Sequence, residues 1–203
     1  MAMEVGRKKL LAINGSYREG GIIDQAVAAA LDAAAVRGYE TEEIFLREWE
    51  IRFCTNCRAC TQEPGEAPGR CVQDDAMREI IEKIESCDAI LLASPTNFSS
   101  VTALFKRFME RLVAYGYWPW GEPMPRNRKS KPTKKALLVS SSAMPGLLAR
   151  LFTCSLRLLK LCAKTVGAKP SGSLYIGMIA AEKYPALPPK MREKARRLID
   201  TLN

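Results

Sequence analysis

The chain has 203 residues, a formal charge of +9, 47% apolar and 26% charged residues, seven cysteines and no histidine. That size suits one domain, residues 1–203, with an ordinary core, and the missing histidines exclude imidazole general-base catalysis and histidine ligation of zinc or haem. No apolar run is long enough to cross a bilayer. Residues 1–9 lack the apolar stretch of a secretion signal, so a cytoplasmic protein with reduced thiols and no membrane partner is expected.

Residues 8–14 form a short apolar run that reads as a buried strand. A Gly/Ser/Arg loop, 15–21, leads into an alanine-rich helix, 22–36, with Gly38 as its stop. A second strand is expected over 41–46. Asp74 or Asp75 caps a helix running to Ser86, with Met77, Ile80, Ile81 and Ile84 on one face. Strand 89–93 and helix 101–113 follow, then strand 136–140. One helix is expected over 147–166, apolar around so much of its circumference that it needs covering on two sides, by the sheet and by either its own domain or a second subunit. Strand 171–178 and a helix after Pro189 complete the chain. The alternation implies a parallel sheet with helices on both faces, an α/β fold whose ligands bind beyond the C-terminal strand ends.

Positive charge concentrates at 126–135 and 190–197; the second run reads as the solvated side of a final helix, and no nucleic-acid motif accompanies either, so no nucleic-acid partner is expected. Two connections, 49–73 and 114–134, are longer than ordinary loops and become candidate functional segments. The second carries Tyr115, Tyr117, Trp118 and Trp120, which suit a wall over a flat ligand or a subunit contact.

Three strand-following loops are small and polar. The first holds Ser16, Arg18, Gly20 and Gly21 before Ile22 and Ile23, and its amides can converge on an anion at a helix N-terminus. The second holds Pro95, Thr96, Asn97 and Phe98, where a ring can stack on a flat group. The third holds Ser140, Ser141 and Ser142. Convergence of all three at one sheet end would build one site.

Cys54, Cys57 and Cys60 share a C-x-x-C interval, and Cys71 follows. Four thiolates are the ligand number of a 4Fe-4S cluster. A metal-free structural loop and a redox-sensing thiol pair are the competing readings, with Arg52, Arg58 and Arg70 near enough in sequence to favour thiolates. Cys87, Cys154 and Cys162 sit in apolar contexts and read as packing residues.

Together, Gly15-Ser16-x-Arg18, the cysteine run, Asp74-Asp75-x-Met77 and Ser94-Pro95-Thr96-Asn97-Phe98 before a helix with Lys106 and Arg111 resemble the flavodoxin-like NADPH-dependent FMN reductase family. The resemblance is strongest to its cysteine-containing branch, which includes iron–sulfur flavoproteins. It implies a five-stranded parallel sheet of order 2-1-3-4-5, a homodimer or homotetramer, and FMN held by Ser16, Arg18 and the residues to Ile23. Pro95 to Phe98 would then hold the flavin ring, and Ser140 to Ser142 would approach its other edge. The chain departs from the family at Gly21-Ile22-Ile23, where side-chain phosphate donors are usual. The implied activity is hydride transfer from NADPH or NADH to FMN and on to a small acceptor such as a flavin or quinone. An electron carrier with FMN plus 4Fe-4S, or a binding module that has lost flavin, are the alternatives.

Overall fold

The computed structural model describes residues 6–179 and 182–202. Seven strands, β1 (Lys9–Asn14), β2 (Glu40–Phe45), β3 (Ala89–Pro95), β4 (Gly116–Tyr117), β5 (Arg126–Asn127), β6 (Lys134–Ser141) and β7 (Ala168–Ile176), are joined by six α-helices. These are α1 (Ile22–Val36), α2 (Met77–Ser86), α3 (Ala103–Arg111), α4 (Gly146–Phe152), α5 (Ser155–Thr165) and α6 (Pro189–Arg197). The main sheet is parallel, in the order β2-β1-β3-β6-β7. With the short antiparallel ribbon β4–β5 set aside, this is the expected 2-1-3-4-5 order.

Strand periodicity sorts the core into two layers. Leu11 and Ile13 of β1 join Met77, Ile80, Phe105, Phe108 and Leu159 under α2, α3 and α5. Leu10 and Ala12 face the other way, onto α1 and α6. The alanines of α1 let that helix lie close against the strands, and its Ile22 and Ile23 are buried in the same layer.

Two expectations need correction. The helix expected over 147–166 is broken: Thr153 is extended (φ −122°, ψ 153°), and the Cys154 amide donates to Ser99 O at 2.8 Å. A tertiary bond to the loop after β3 therefore outweighs local helix continuity. The segment 114–134 is not irregular throughout, because Gly116 and Tyr117 pair with Asn127 and Arg126. Within the chain α5 is covered by the sheet, but α4 keeps Leu147, Leu151 and Phe152 largely exposed.

Candidate functional site at the C-terminal rim

β1, β3 and β6 end side by side. Asn14 is in register with Ala93, and Pro95 with Ser141, so the following loops emerge from one edge. A cavity of about 420 Å³ opens there, walled by Ser16, Arg18, Gly21, Ile22 and Ile23 on one side and by Pro95, Thr96, Asn97, Ser141 and Ser142 on the other. Ten of the thirteen loop residues expected at the site thus meet at one cavity.

The remaining three are placed elsewhere. Gly20 lies behind the wall, and its amide donates to Asp24 Oδ2 at 3.0 Å. Ser140 is fully buried, with its Oγ 3.5 Å from Thr96 Oγ1. Phe98 is at the tip of a tight turn in which Asn97 and Ser100 exchange two backbone bonds, 2.8 and 2.9 Å. Such a turn needs left-handed central residues, and Phe98 and Ser99 have φ of 47° and 61°. The Phe98 ring is fully exposed and does not contribute to the cavity wall.

The first loop is shaped by its own side chains. Ser16 Oγ donates to Arg18 O (3.1 Å) and accepts from Arg18 N (3.2 Å), closing a local turn. One arm of the Arg18 guanidinium donates to Lys183 O at 3.0 Å. Gly15 is required for packing: a Cβ there would lie 2.8 Å from the Cβ of Phe105. At the start of α1, Gly21 provides no side-chain cap, so the amides of Ile22 and Ile23 point from an open helix N-terminus at the cavity's edge.

A polar network missed in the sequence supports this loop from below. The buried Asn14 amide donates to Asp24 Oδ1 (2.8 Å) and Glu43 Oε1 (2.9 Å), while its Oδ1 accepts the Ser16 amide (2.9 Å). Arg47 pairs with Asp24 at 3.1 Å. Burial pushes the Glu43 carboxyl up to about 7, against the lowering effect of the Asn14 bond. Glu43 directly follows Glu42 in β2, so nothing local distinguishes the half-buried carboxyl from its exposed neighbour.

Across the cavity, the Thr96 and Asn97 amides already donate to Ser141 O (2.7 Å) and Ser100 O (2.8 Å). Of the three amides over 96–98, that of Phe98 alone keeps no acceptor within the described residues. Thr96 Oγ1 lies 2.7 Å from Ser155 Oγ and 2.8 Å from Tyr175 Oη. Ser141 Oγ, by contrast, is buried and has no hydrogen-bond partner. A buried hydroxyl left unpaired is uncommon, and this one borders the cavity wall.

The cysteine segment lies apart from this rim. Gly69 folds back onto Cys60: its amide bonds Ala114 O at 2.8 Å, and a Cβ would sit 1.7 Å from Cys60 O. That return brings the Cys71 arm back toward Cys60. Burial first, then the neighbouring thiols of Cys71, Cys54 and Cys57, push the Cys60 thiol up to about 11. The exposed Cys57 thiol is lowered by bonds from the Ala59 amide and Thr55 hydroxyl. Among the described residues, no three Cys, His, Asp or Glu side chains are grouped to hold a metal ion. Cys71 Sγ instead accepts from Arg111 Nη2 at 3.3 Å.

The tryptophans also have a different role from a wall over the rim. Arg58 is sandwiched between Trp118 and Trp120, 3.7 and 4.3 Å from their centroids, and donates to Trp118 O at 2.6 Å. Neither ring lines the rim cavity.

The family model described as NADPH-dependent FMN reductase matches residues 8–167. The chain belongs to the NADPH-dependent FMN reductase family. It is 37% identical over 111 residues to an iron–sulfur flavoprotein of Archaeoglobus fulgidus, covering 55% of this chain and 48% of that protein. It is 35% identical over 105 residues to an iron–sulfur flavoprotein of Methanosarcina thermophila, covering 52% of each. The matched region thus spans about half the length of these curated relatives. A solved FMN-dependent NADH-azoreductase of Bacillus anthracis, in complex with FMN, superposes with a TM-score of 0.67 at 13% identity, over 97% of this chain and 100% of that one. This last likeness shows the flavodoxin-like fold. The family cofactor fits the rim on two counts: the open α1 terminus offers amides to a phosphate, and the unpaired Ser141 hydroxyl offers a bond to a polar edge.

Proposed function

We propose that this protein is an FMN-dependent NAD(P)H oxidoreductase that passes electrons to a small acceptor. The observation that carries this reading is the single rim cavity with the α1 N-terminus at one side and the unpaired Ser141 hydroxyl at the other. Bound FMN would supply the hydride-accepting ring. The chain's own task is placement. Ile22 and Ile23 amides, with the free arm of Arg18, hold the phosphate, and the buried isoleucine side chains fix the helix start beneath it. Pro95 and Thr96 make a stiff, flat wall, tied to β6 through Thr96 N and to β7 through Tyr175. Ser141 donates its hydroxyl to the ring's polar edge. None of these roles needs a histidine, in keeping with the composition.

The exposed apolar side of α4 supports a homodimer or homotetramer. Seven free cysteines fit a reducing cytoplasm, and among the described residues no helix is long and apolar enough to cross a membrane. An FMN titration followed by flavin fluorescence, then NADPH and NADH oxidation with a quinone or free flavin as acceptor, tests the proposal. Saturable binding near one flavin per chain and acceptor-dependent oxidation are expected. No saturation up to millimolar FMN would sink it and leave the flavin-free module. Iron and sulfide assay of anaerobically purified protein separates the plain reductase, expected iron-free, from the FMN plus 4Fe-4S electron carrier.

A further inference from the structure

The loop between β1 and α1 stands on a cluster of charged side chains that takes no part in the binding roles above. The buried Asn14 is its centre. The Asn14 side-chain amide donates to Asp24 Oδ1 and to Glu43 Oε1, and its Oδ1 accepts the Ser16 amide. Asp24 Oδ2 accepts the Gly20 amide at 3.0 Å. Arg47 Nη1 donates to Ser16 O at 3.5 Å, and Arg47 pairs with Asp24 at 3.1 Å, their side chains only 16% and 12% exposed. Both ends of the loop, at Ser16 and at Gly20, therefore rest on one network that water screens weakly.

That network holds more negative charge than positive. The groups that bear on Glu43 are Asn14 from β1, Asp24 from α1, and Arg47 and Glu48 after β2. With Glu43 ionised, three carboxylates surround one guanidinium. With Glu43 protonated, Arg47 balances Asp24, and the exposed Glu48 is left at the edge. Burial first, and then Asp24 and Glu48, raise the Glu43 carboxyl to about 7 against the opposing effects of Asn14 and Arg47, so both of its forms are present near neutrality. Asn14 can donate to Glu43 Oε1 in either form, because carboxylate and carbonyl oxygens both accept. The proton thus changes the charge beneath the loop without breaking its bonds. The loop ends at the α1 N-terminus, whose Ile22 and Ile23 amides face the rim cavity. An anion there is drawn by the helix end and repelled by an ionised Glu43 behind it.

We infer that Glu43 is a positioning residue for this anion site, taking up a proton when a flavin phosphate occupies the α1 N-terminus, so that FMN binds more tightly as pH falls through neutrality. The inference rests on the flavin reading above. Reciprocity requires both halves of it: if the proton favours the phosphate, the phosphate favours the proton to the same degree.

FMN titrations followed by flavin fluorescence between about pH 6.5 and 8.5 test it, a window in which the phosphate, whose second proton leaves near pH 6, is already mostly dianionic. The parent's Kd should rise roughly fivefold across the window, the order expected for one added charge near a protein surface. Glu43→Gln keeps an acceptor for Asn14 and cannot ionise, so it should hold the tight low-pH value throughout. Calorimetry of the parent in two buffers of different ionisation heat should show net proton uptake on binding. A phosphate settling onto a helix N-terminus would instead release protons, so the sign of the parent's exchange decides the matter even where the variant does not fold. Parallel pH profiles in parent and variant, or binding without proton uptake, overturn the inference and leave the flavin reading standing. No saturable FMN binding by either protein at any pH would sink both.

Discussion

The rim and the cysteine-bearing annex are both made of loops, yet they are held by opposite means. The rim hangs from the ends of buried parallel strands, so a hydrophobic core fixes its loops within a few residues. The annex, residues 49–73 and 114–134, sends Ile51 and Tyr115 into the core but is otherwise mostly loop, and three arginines organise it. Arg128, only 7% exposed, donates to Ala114 O (3.1 Å), Gly65 O (3.0 Å), Glu63 O (2.8 Å) and Cys60 O (3.3 Å). Arg111, 3% exposed, pairs with both oxygens of Asp75 and reaches Cys71, and Arg58 stacks between the tryptophans. A guanidinium presents five donors in a fixed fork, so it can satisfy many loop carbonyls where no secondary structure does. The difference teaches that a basic run such as 126–135 can carry an internal brace, Arg128, among solvated neighbours.

If the two regions are independent, breaking the annex should spare the rim. The largest effect is expected at Arg111→Met. It leaves Asp75 buried without its cation, and loss of one partner of a buried pair costs about 3–5 kcal/mol. Burial opposes ionisation of Asp75, but bonds from Arg111 and from the Arg52 and Met77 amides outweigh it and hold its carboxyl below the ordinary range. Urea unfolding should show that loss, and Cys60 should become reactive to a thiol reagent while FMN affinity changes less than threefold. Parallel collapse of flavin binding would show the regions to be one unit.

Arg128→Met should come next, at roughly 2–3 kcal/mol, because four loop carbonyls lose their donor but can partly turn to water. Thiol reactivity at Cys60, whose carbonyl is one of the four, should rise before any change in the far-UV circular dichroism. A variant as protected as the parent would mean that Gly69 and the ribbon alone hold the loop closed.

How far each region could be read in advance follows from the same contrast. Strand ends and polar turns obey local rules, so the parallel α/β alternation and ten rim residues were visible in the chain, while the sheet order came only with the family resemblance. The placement of Phe98 was not, because a turn with two left-handed residues can be built from Asn-Phe-Ser-Ser, with no glycine to announce it. The α4–α5 break was hidden because its cause, the Ser99 carbonyl, lies far away in sequence. Arg111 could have been found: it follows Phe108 by one turn on the apolar face of α3, where an arginine needs a buried partner. Glu43 and Arg128 carried no such local mark.

Within the rim, Glu43 gives a smaller effect of defined sign. Folding raises this carboxyl from 4.5 to about 7, so the folded chain holds the proton more tightly than the unfolded one. Its contribution to stability is complete below pH 4.5 and drains away as pH rises to about 7. Discounted for its partial exposure, the swing is roughly 1–2 kcal/mol. Glu43→Gln should flatten the stability profile across that window in urea titrations at stepped pH. An unchanged slope would assign the titration to another group.

The smallest effect on folding, and the most direct on the site, is expected at Ser141→Ala. An unpaired buried hydroxyl contributes nothing to the empty protein and costs desolvation, so its removal should leave stability unchanged or raise it by up to about 1 kcal/mol. If the hydroxyl serves a ligand, the same variant should bind FMN several-fold more weakly, since a bond formed only in the complex is lost. Melting curves without flavin and flavin titrations on the same sample separate the two effects. Destabilisation with unchanged FMN affinity would mean that Ser141 belongs to the sheet, whereas stability kept and affinity lost would place the flavin against the end of β6.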